Sequence, residues 1–345
     1  MNCPICNSHS VKELKEHRER LFRKESFQII ELFYKCENCS EEYTTTALDQ
    51  INISLVHNEY RVRNKIPFPE EIKAIRLQYE LSAVKMSEIL GLGINSYRNY
   101  ENGEIPSESN ARLIQLAADP AEFNKLLHFA RNIQPDEIKA LEYKIEQLLQ
   151  IQTARKERPD TQDFVLSKLR SIMPDSLIIP NEFTGYKRPS IDRLGQMVLY
   201  FAEKIQPRKT RLNKLLFYSD FLCFKLYGYS MSGFPYRAIN YGPVPEKYDT
   251  VFEHLESECI IRRNVEVIEG AETVMEQFCP GKIDFNNELF DEKEIKVLDH
   301  IIATIGQLNT KDIVLKSHDE EAWKQCNGEK KIISYKEYAF DLTLN

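Results

Sequence analysis

The amino-acid sequence predicts a multidomain, mainly α-helical protein. A chain of 345 residues is longer than one typical domain. Two close pairs of cysteines stand near the N-terminus, where part of the intervening segment has the composition of a β-strand. From Pro67 onwards, apolar residues recur mostly at helical spacing. We therefore expect a small cysteine-rich β-hairpin domain, a five-helix helix-turn-helix domain, and a mainly helical C-terminal domain with a β-hairpin.

The composition is that of an ordinary cytosolic protein. Hydrophobic residues make up 42% of the chain and charged residues 29%, which is typical of soluble globular proteins. The start, MNCPICNSHS, lacks the basic and apolar segments of a secretory signal. The apolar run Leu215–Phe224 is too short to span a bilayer. We therefore expect a cytoplasmic protein without a membrane partner.

The net charge argues against one class of nucleic-acid-binding protein. At −7, the chain lacks the excess of Lys and Arg that coats nucleic acid by neutralising phosphates. A small DNA-reading module within a larger acidic protein stays compatible with this charge.

The N-terminal cysteines have the spacing of a metal site. Two C-x2-C pairs can place four thiolates around a tetrahedral Zn²⁺ at about 2.3 Å each. Phe27–Tyr34 and Tyr43–Ala47 have the composition of strands. A redox pair or plain structural thiols are the alternatives, but a redox motif has one pair beside a βαβ unit. The predicted ligands of a structural zinc ion, in a zinc-binding domain of residues 1–66, are Cys3, Cys6, Cys36 and Cys39.

Residues 67–131 are predicted to form five short helices. The first, PEEIKAIRLQYE, opens with a proline and two acids, which suit a helix N-terminus. In the third, within GINSYRNYENG, Tyr97 and Tyr100 are three positions apart and therefore share a face that packs on the core. The polar residues lie on the other faces. They are either a solvated surface or the base-reading side of a recognition helix.

The preceding helix and turn favour the DNA-reading interpretation. Asparagine pairs bidentately with adenine, and arginine pairs with guanine or with phosphate. Because the segment Pro67–Leu116 is not basic, we expect some phosphate contacts to come from HNEYRVRNK, which precedes it. The predicted DNA contacts are Asn95, Ser96, Arg98, Asn99, Lys85, Arg61 and Arg63.

The first 130 residues or so resemble a known antitoxin family. ELSAVKMSEILGLGINSYRNYENGEIPS is similar to an Xre-type helix-turn-helix, most closely that of the MqsA family, whose members also carry a two-C-x2-C zinc domain before it. The resemblance implies a dimeric repressor that binds double-stranded operator DNA. Asn95 matches the family's base-reading asparagine. The family's base-reading arginine is here Asn99, with Arg98 one place earlier, which leaves the operator sequence open.

Residues 132–185 are predicted to form a helical linker. Asp136–Gln152 has apolar residues at near-helical spacing, so it is an amphipathic helix. It packs either on the core or on its mate in a dimer. The segment ARKERPDTQ after it is charged and broken by proline, as is typical of a protease-sensitive linker.

The C-terminal domain, residues 186–345, is predicted to be mainly helical. Ser190 caps one helix, and the next, TRLNKLLFYSDFLCFKLYG, is apolar on nearly every side and is therefore buried. Tyr241–Pro245 forces a turn into a further helix. Two alternating segments, Glu258–Ile268 and Thr273–Phe278, indicate a hairpin. Three more helices begin near Glu288, Thr310 and Ser334.

This domain offers no catalytic constellation. Three histidines stand alone in the sequence, and a glycine-rich phosphate loop is missing from it. We therefore predict a binding protein that is not an enzyme. The three histidines are His254, His300 and His318.

Residues 190–342 resemble the SocA-like, or Panacea, antitoxin domain. The resemblance lies in a helix rich in Leu and aromatic residues, then Tyr-Gly-Pro-Val at Tyr241–Val244, then His318 five residues before Trp323. It implies a domain that binds a toxin encoded by an adjacent gene. Turn formation and core packing are the alternative roles for these residues. The predicted partner contacts are Tyr241, Pro243, Tyr248 and Trp323.

Together, the sequence predicts an antitoxin that also represses its own operon. It neutralises a cognate toxin by direct binding through the C-terminal domain and binds its operator as a homodimer. One alternative is a proteolytic adaptor that delivers the toxin to a AAA+ protease. Another is a transcriptional repressor whose C-terminal half senses a ligand. The activity of the toxin is left open.

Overall fold

The computed structural model describes residues 2–131, 133–157, 167, 173–267 and 274–344. The chain divides into two compact units. The first unit consists of Met1–Val56 and Val165–Asn345, and the second of His57–Phe164. The predicted mainly helical, multidomain architecture is confirmed. Of the helices within these described ranges, none combines the length and apolarity needed to cross a lipid bilayer.

The first unit begins with a long antiparallel hairpin. Strands β1 (Val11–Phe22) and β2 (Glu25–Cys36) pair along their whole length, and the short β3 (Glu42–Tyr43) extends the sheet. Arg23 and Lys24 connect β1 to β2, both with positive φ, as a two-residue type I′ turn requires. The prediction of a β-hairpin is confirmed, with differences in its strands.

Strand β1 was not predicted, because its sequence, VKELKEHRERLF, shows no apolar alternation. The predicted strand Phe27–Tyr34 lies within β2, which is buried from Ile29 to Phe33. The predicted strand Tyr43–Ala47 is shorter than expected. It is limited to β3, because helix α1 (Thr46–Asn64) begins three residues later.

Helix α1 packs on β2 through one side-chain amide. Asn52 accepts a hydrogen bond from the Leu32 backbone N–H at 2.9 Å and donates one to the Leu32 carbonyl at 2.8 Å. Leu48, Ile51 and Leu55 are buried on the same helix at helical spacing. The apolar residues of α1 are therefore spaced as in a helix, although the sequence prediction for residues 1–66 contains no helix.

Besides the last residues of α1, the described part of the second unit contains six helices, of which five were predicted within residues 67–131. They are α2 (Pro69–Leu77), α3 (Ala83–Ile89), α4 (Ser96–Glu101), α5 (Glu108–Leu116), α6 (Pro120–Phe129) and α7 (Pro135–Glu157). Ser82 and Ser107 accept hydrogen bonds from the Lys85 and Asn110 amides, and so cap α3 and α5.

Helix α7 packs against the apolar core of the second unit. Ile72, Tyr97 and Phe123 are fully buried, and Leu141 and Ile145 of α7 belong to the same apolar cluster. Of the two alternatives for this amphipathic helix, the structure shows packing on the core. The predicted linker ARKERPDTQ spans residues 154–162. Its first four residues belong to the end of α7, and residues 158–162 lie outside the described residues.

In the first unit, the C-terminal region is built around one buried helix. Ser190 caps α8 (Ile191–Ile205) by accepting a hydrogen bond from the Arg193 amide, as predicted. Helix α9 (Lys209–Tyr227) is buried at every position from Leu212 to Phe224, which confirms the predicted central helix. Gly228 ends it in a left-handed conformation with φ of 79°.

Short strands and helices surround α9. Strands β4 (Tyr236–Ile239) and β5 (Gly242–Pro245) form a sheet with β8 (Ile332–Ile333) in the order β5-β4-β8. Strands β6 (Ile261–Val267) and β7 (Val274–Pro280) form the predicted second hairpin, whose connection lies outside the described residues. The remaining helices are α10 (Tyr248–Ser257), α11 (Glu292–Thr304), α12 (Thr310–Asp319), α13 (Glu321–Cys326) and α14 (Tyr335–Tyr338).

A buried carboxylate shapes the loop between α9 and β4. Asp220 is fully buried, and its oxygens accept hydrogen bonds from the Met231 amide, the Ser232 amide and hydroxyl, and the Tyr236 hydroxyl. Burial raises the pKa of Asp220, whereas these donors oppose the rise. The four donors fix residues 231–236 against α9 and thereby set where β4 begins.

Ion pairs connect the N-terminal hairpin to the end of the chain within the first unit. Lys15 of β1 pairs with the Asp341 carboxylate and donates to the Glu337 carbonyl. The His17 imidazole lies 3.4 Å from the Glu337 carboxylate. The hairpin and the C-terminal region therefore share contacts, as expected for parts of one compact unit. The three boundaries between the predicted segments 1–66, 67–131, 132–185 and 186–345 stay a prediction.

Candidate functional site

The four N-terminal cysteines converge at the open end of the β1–β2 hairpin. The first pair precedes β1 and the second follows β2, so strand pairing brings the two pairs together. Their sulfur atoms all lie within 4.8 Å of one another. The Sγ atoms of Cys3 and Cys39 are 3.6 Å apart, as are those of Cys6 and Cys36.

These distances fit a tetrahedral four-thiolate metal site. A metal–sulfur bond of about 2.3 Å in tetrahedral geometry separates neighbouring sulfurs by about 3.8 Å. The two pairs have matching backbones, because the residue after each second cysteine is left-handed, at Asn7 and Ser40. The Cys3 amide donates to the Ser8 carbonyl and the Cys36 amide to the Glu41 carbonyl, at 2.9 and 3.0 Å. Each pair is thus held in a tight turn that points two thiols inwards.

The pKa values of the thiols in the cluster shift in both directions. For Cys39, a backbone hydrogen bond with Glu41 lowers the pKa, but burial and the neighbouring thiols outweigh it and raise the pKa to about 12. The side-chain amide of Asn38 donates to the Cys6 sulfur at 3.5 Å and is the main cause that lowers the pKa of this thiol to about 6. A lowered pKa favours the thiolate, which is the form that binds metal. Four cysteines complete a tetrahedral shell and leave no open position for a substrate, so a metal here has a structural role.

Helix α4 carries the predicted recognition residues and is anchored from beneath by its tyrosines. The Tyr97 hydroxyl donates to the Ile72 carbonyl at 2.7 Å, and the Tyr97 amide donates to the Ser87 hydroxyl at 3.1 Å. The Tyr100 hydroxyl accepts a hydrogen bond from the side-chain amide of Asn110 at 2.9 Å. Both rings are buried, as predicted from their spacing.

An arginine–carboxylate pair fixes the other end of α4. Arg76 of α2 donates from Nε and Nη2 to the two carboxylate oxygens of Glu101, at 2.6 and 3.1 Å. Its Nη1 donates to the Leu81 carbonyl at 2.6 Å. The side chains of Arg76 and Glu101 are only 13% and 11% exposed, so solvent screens this bidentate pair little. The pair sets the angle of α4 relative to α2.

The predicted DNA contacts on α4 share one exposed surface. Asn95, Arg98 and Asn99 are exposed, and Ser96 is half-buried. Asn95 makes no capping hydrogen bond with its side chain, so its amide is not used to start the helix. Lys85, on α3, lies within 3.0 Å of the Glu88 and Glu137 carboxylates.

The two predicted contacts on α1 differ from each other. Arg63 is exposed. Arg61, in contrast, is 3% exposed, and its Nη2 donates to the Gly103 carbonyl at 2.7 Å. Burial lowers the pKa of Arg61 to about 10. Its guanidinium is therefore part of the interior and does not form the surface contact predicted from the sequence.

In the first unit, three of the four predicted partner contacts meet at the β4–β5 turn. Tyr241 stands at the turn and is 70% exposed. Pro243 is buried, and its carbonyl accepts a hydrogen bond from Lys214 Nζ at 2.9 Å. The indole N–H of Trp323 donates to the Ile239 carbonyl at 2.8 Å.

A stacked pair supports this turn. The rings of His318 and Trp323 stack with centroids 3.8 Å apart, and Trp323 is half-buried. Burial, with a contribution from the charge of Lys214, lowers the pKa of His318 and favours its neutral form. Tyr248, at the start of α10, is half-buried under the ammonium of Lys209, 5.6 Å from its ring centroid. Tyr241 is therefore the most exposed of the four.

Sequence reasoning missed four residues that position these surfaces. Lys214 and Asp220 are fully buried in α9, and a lysine and an aspartate in an otherwise apolar helix were the available signal. Arg76 and Glu101 lie 25 positions apart, so their pairing had no local signal.

Two parts of the chain match the models of two antitoxin families. Residues 1–141, which include the cysteine cluster, match the antitoxin component of bacterial toxin-antitoxin system, MqsA. Residues 212–324 match the antitoxin SocA-like, Panacea domain. A comparison with curated proteins finds no match. The chain is therefore similar to MqsA-type antitoxins in its N-terminal part and to the SocA-like Panacea domain in its C-terminal part, as the sequence predicted.

Proposed function

We propose that this antitoxin neutralises a cognate toxin by direct binding through residues 186–345 and represses its own operon through residues 67–131. The observation that carries the proposal is the match of one chain to two antitoxin families, in separate ranges that carry different surfaces. The toxin is a protein encoded by an adjacent gene. Neither activity requires the protein to be an enzyme.

In the proposed repressor, α4 enters the major groove of operator DNA. The exposed amides of Asn95 and Asn99 pair with adenine, and Arg98 pairs with guanine or a phosphate. Ser96 on α4 and the exposed Arg63 on α1 are proposed to add further contacts with the DNA. Each subunit of a homodimer reads one half-site of the operator. The bound dimer then blocks access to the promoter of its own operon.

The metal of the cysteine cluster is proposed to be structural Zn²⁺. Four thiolates with sulfur separations near 3.6 Å suit its size and tetrahedral preference. Cys3, Cys6, Cys36 and Cys39 would hold it. The bound ion supplies stability to a hairpin whose β1 strand contributes few buried side chains.

The proposed toxin contact centres on the β4–β5 turn. Tyr241 presents an exposed aromatic ring, which is the kind of side chain that contributes most at protein interfaces. Trp323 binds the Ile239 carbonyl at the same turn, and Tyr248 follows β5 in the chain. Pro243, being buried, acts through the shape of the turn.

Two substitutions separate the two proposed activities. The double variant Asn95→Ala, Arg98→Ala is expected to abolish binding to the DNA upstream of the gene while the protein stays dimeric, because both side chains are exposed. Tyr241→Ala is expected to weaken co-purification of the neighbouring gene's product at least tenfold, and to leave DNA binding unchanged.

Lys125→Ala, an exposed residue paired with Glu122 on α6, is the control for both assays. DNA binding that survives the double variant would show that α4 does not read the operator. Unchanged co-purification with Tyr241→Ala would remove the turn from the toxin contact.

A further inference from the structure

An isoleucine stands on the proposed DNA-reading surface. Ile94 is 69% exposed, whereas its neighbours Leu92 and Tyr97 pack into the apolar core of the second unit. Single exposed apolar residues are common on proteins, so exposure alone decides nothing. The position of Ile94 relative to Asn95 is what distinguishes it.

Ile94 and Asn95 occupy the tip of one tight turn. The Ser96 amide donates to the Gly93 carbonyl at 2.8 Å, which makes Ile94 and Asn95 the two central residues of a β-turn. Asn95 has φ of −103° and ψ of −3°, as the second central residue of a type I turn does. The turn leads directly into α4, so both exposed side chains stand at the start of the proposed recognition helix.

The chemistry of an isoleucine restricts what it can recognise. Its side chain has no hydrogen-bonding group and no charge, so it gains nothing from a phosphate or from a base edge that offers only donors and acceptors. On the base-pair edges of the major groove, the apolar group is the C5-methyl of thymine. An adenine read by Asn95 belongs to an A·T pair, which places thymine methyl groups in the same stretch of groove.

We propose that Ile94 is a specificity-determining residue that contacts the C5-methyl group of an operator thymine beside the base read by Asn95. The inference rests on the proposed DNA-binding function and adds a preference that hydrogen bonds cannot supply. Removal of one buried methyl group costs about fourfold in affinity. The contact therefore favours thymine over cytosine at that position without any polar contact.

The test uses full-length protein and the DNA upstream of its own gene, in which each thymine is replaced in turn by deoxyuridine. This replacement removes the methyl group and leaves every hydrogen-bonding group in place. For the unaltered protein, we expect about a fourfold loss of affinity at one thymine in each half-site. For Ile94→Ala, we expect weaker binding to unaltered DNA and no further loss at that thymine. Ile94→Val is expected to retain the methyl preference.

Ile151→Ala makes the same substitution at an exposed isoleucine of α7 and should behave like the unaltered protein. The inference is overturned if Ile94→Ala keeps the same methyl preference, or if no thymine shows one in DNA that the protein binds. Absence of binding to any upstream DNA would overturn the proposed repressor function as well, so the two failures are distinguishable.

Discussion

Lys214 makes the stability of the first unit depend on pH in a predictable direction. This lysine is fully buried in α9, where Nζ donates to the Pro243 carbonyl at 2.9 Å. Desolvation lowers its pKa from 10.5 to about 7. The perturbation is Lys214→Met, which keeps an unbranched side chain of similar length and removes the ionisable group.

The direction of the pH dependence follows from the protonation of Lys214 in the folded and in the unfolded protein. Below pH 7 the lysine is protonated in both states, and the folded protein bears the whole cost of a buried ammonium. Between pH 7 and 10 it is neutral when folded and protonated when unfolded, so the free energy of unfolding rises with pH. The slope is about 1.4 kcal/mol per pH unit. Because the folded lysine is already half neutral at pH 7, the slope is smaller there, and the expected gain from pH 7 to pH 9 is about 2 kcal/mol.

The assay is urea unfolding at pH 7, 8 and 9, followed by tryptophan fluorescence. The chain has one tryptophan, Trp323, which lies at the turn whose carbonyl Lys214 binds. His318, stacked on it, has a lowered pKa and stays neutral throughout this range. Lys214→Met should flatten the pH dependence. The control Lys282→Met replaces an exposed lysine and should keep it.

Equal slopes in the unaltered protein and in Lys214→Met would refute the reasoning. That result would mean that the ammonium is solvated or paired at neutral pH, and that the turn is not held by a desolvated lysine.

Two further predictions concern the metal site and the recognition helix. Chelation of the metal, or Cys36→Ser, is expected to lower the urea midpoint of the Trp323 fluorescence transition. The reason is that the hairpin and Trp323 belong to the same compact unit. An unchanged midpoint would show that the cluster binds no stabilising metal. Arg76→Met leaves the Glu101 carboxylate without its partner and is expected to destabilise the second unit by about 3 kcal/mol and to weaken DNA binding. Arg112→Met, at an exposed i,i+4 pair, should change stability by less than about 0.5 kcal/mol, and equal effects of the two variants would contradict this account.

Local patterns were sufficient to predict most helices. Ser190 and the apolar run of α9 predicted two neighbouring helices, because capping and periodicity act within a few residues. Strand β1 escaped prediction because its charged side chains belong to an edge strand, and its pairing with β2 is a long-range property. The contact between Lys15 and Asp341 likewise joins residues too distant in sequence for any local pattern to connect.

The types and spacing of residues in the sequence predicted the metal site more accurately than they predicted which residues lie on the DNA-binding surface. Cysteine spacing alone was enough to predict that the four thiols form one cluster, because two C-x2-C pairs are typical of few structures other than metal sites. Arg61 shows where this reasoning stops. A basic residue in a basic segment suggested a phosphate contact, but burial depends on how α1 packs, and the structure places the guanidinium against the Gly103 carbonyl.

The most direct test of the central claim is co-expression of the full chain with the neighbouring open reading frame, scored by growth and then by co-purification. We predict that the neighbour alone arrests growth, that the full chain restores it, and that the two proteins purify as a stable complex. Restored growth with loss of the neighbour would instead indicate delivery to a protease. A neighbour that is harmless on its own would contradict the antitoxin account.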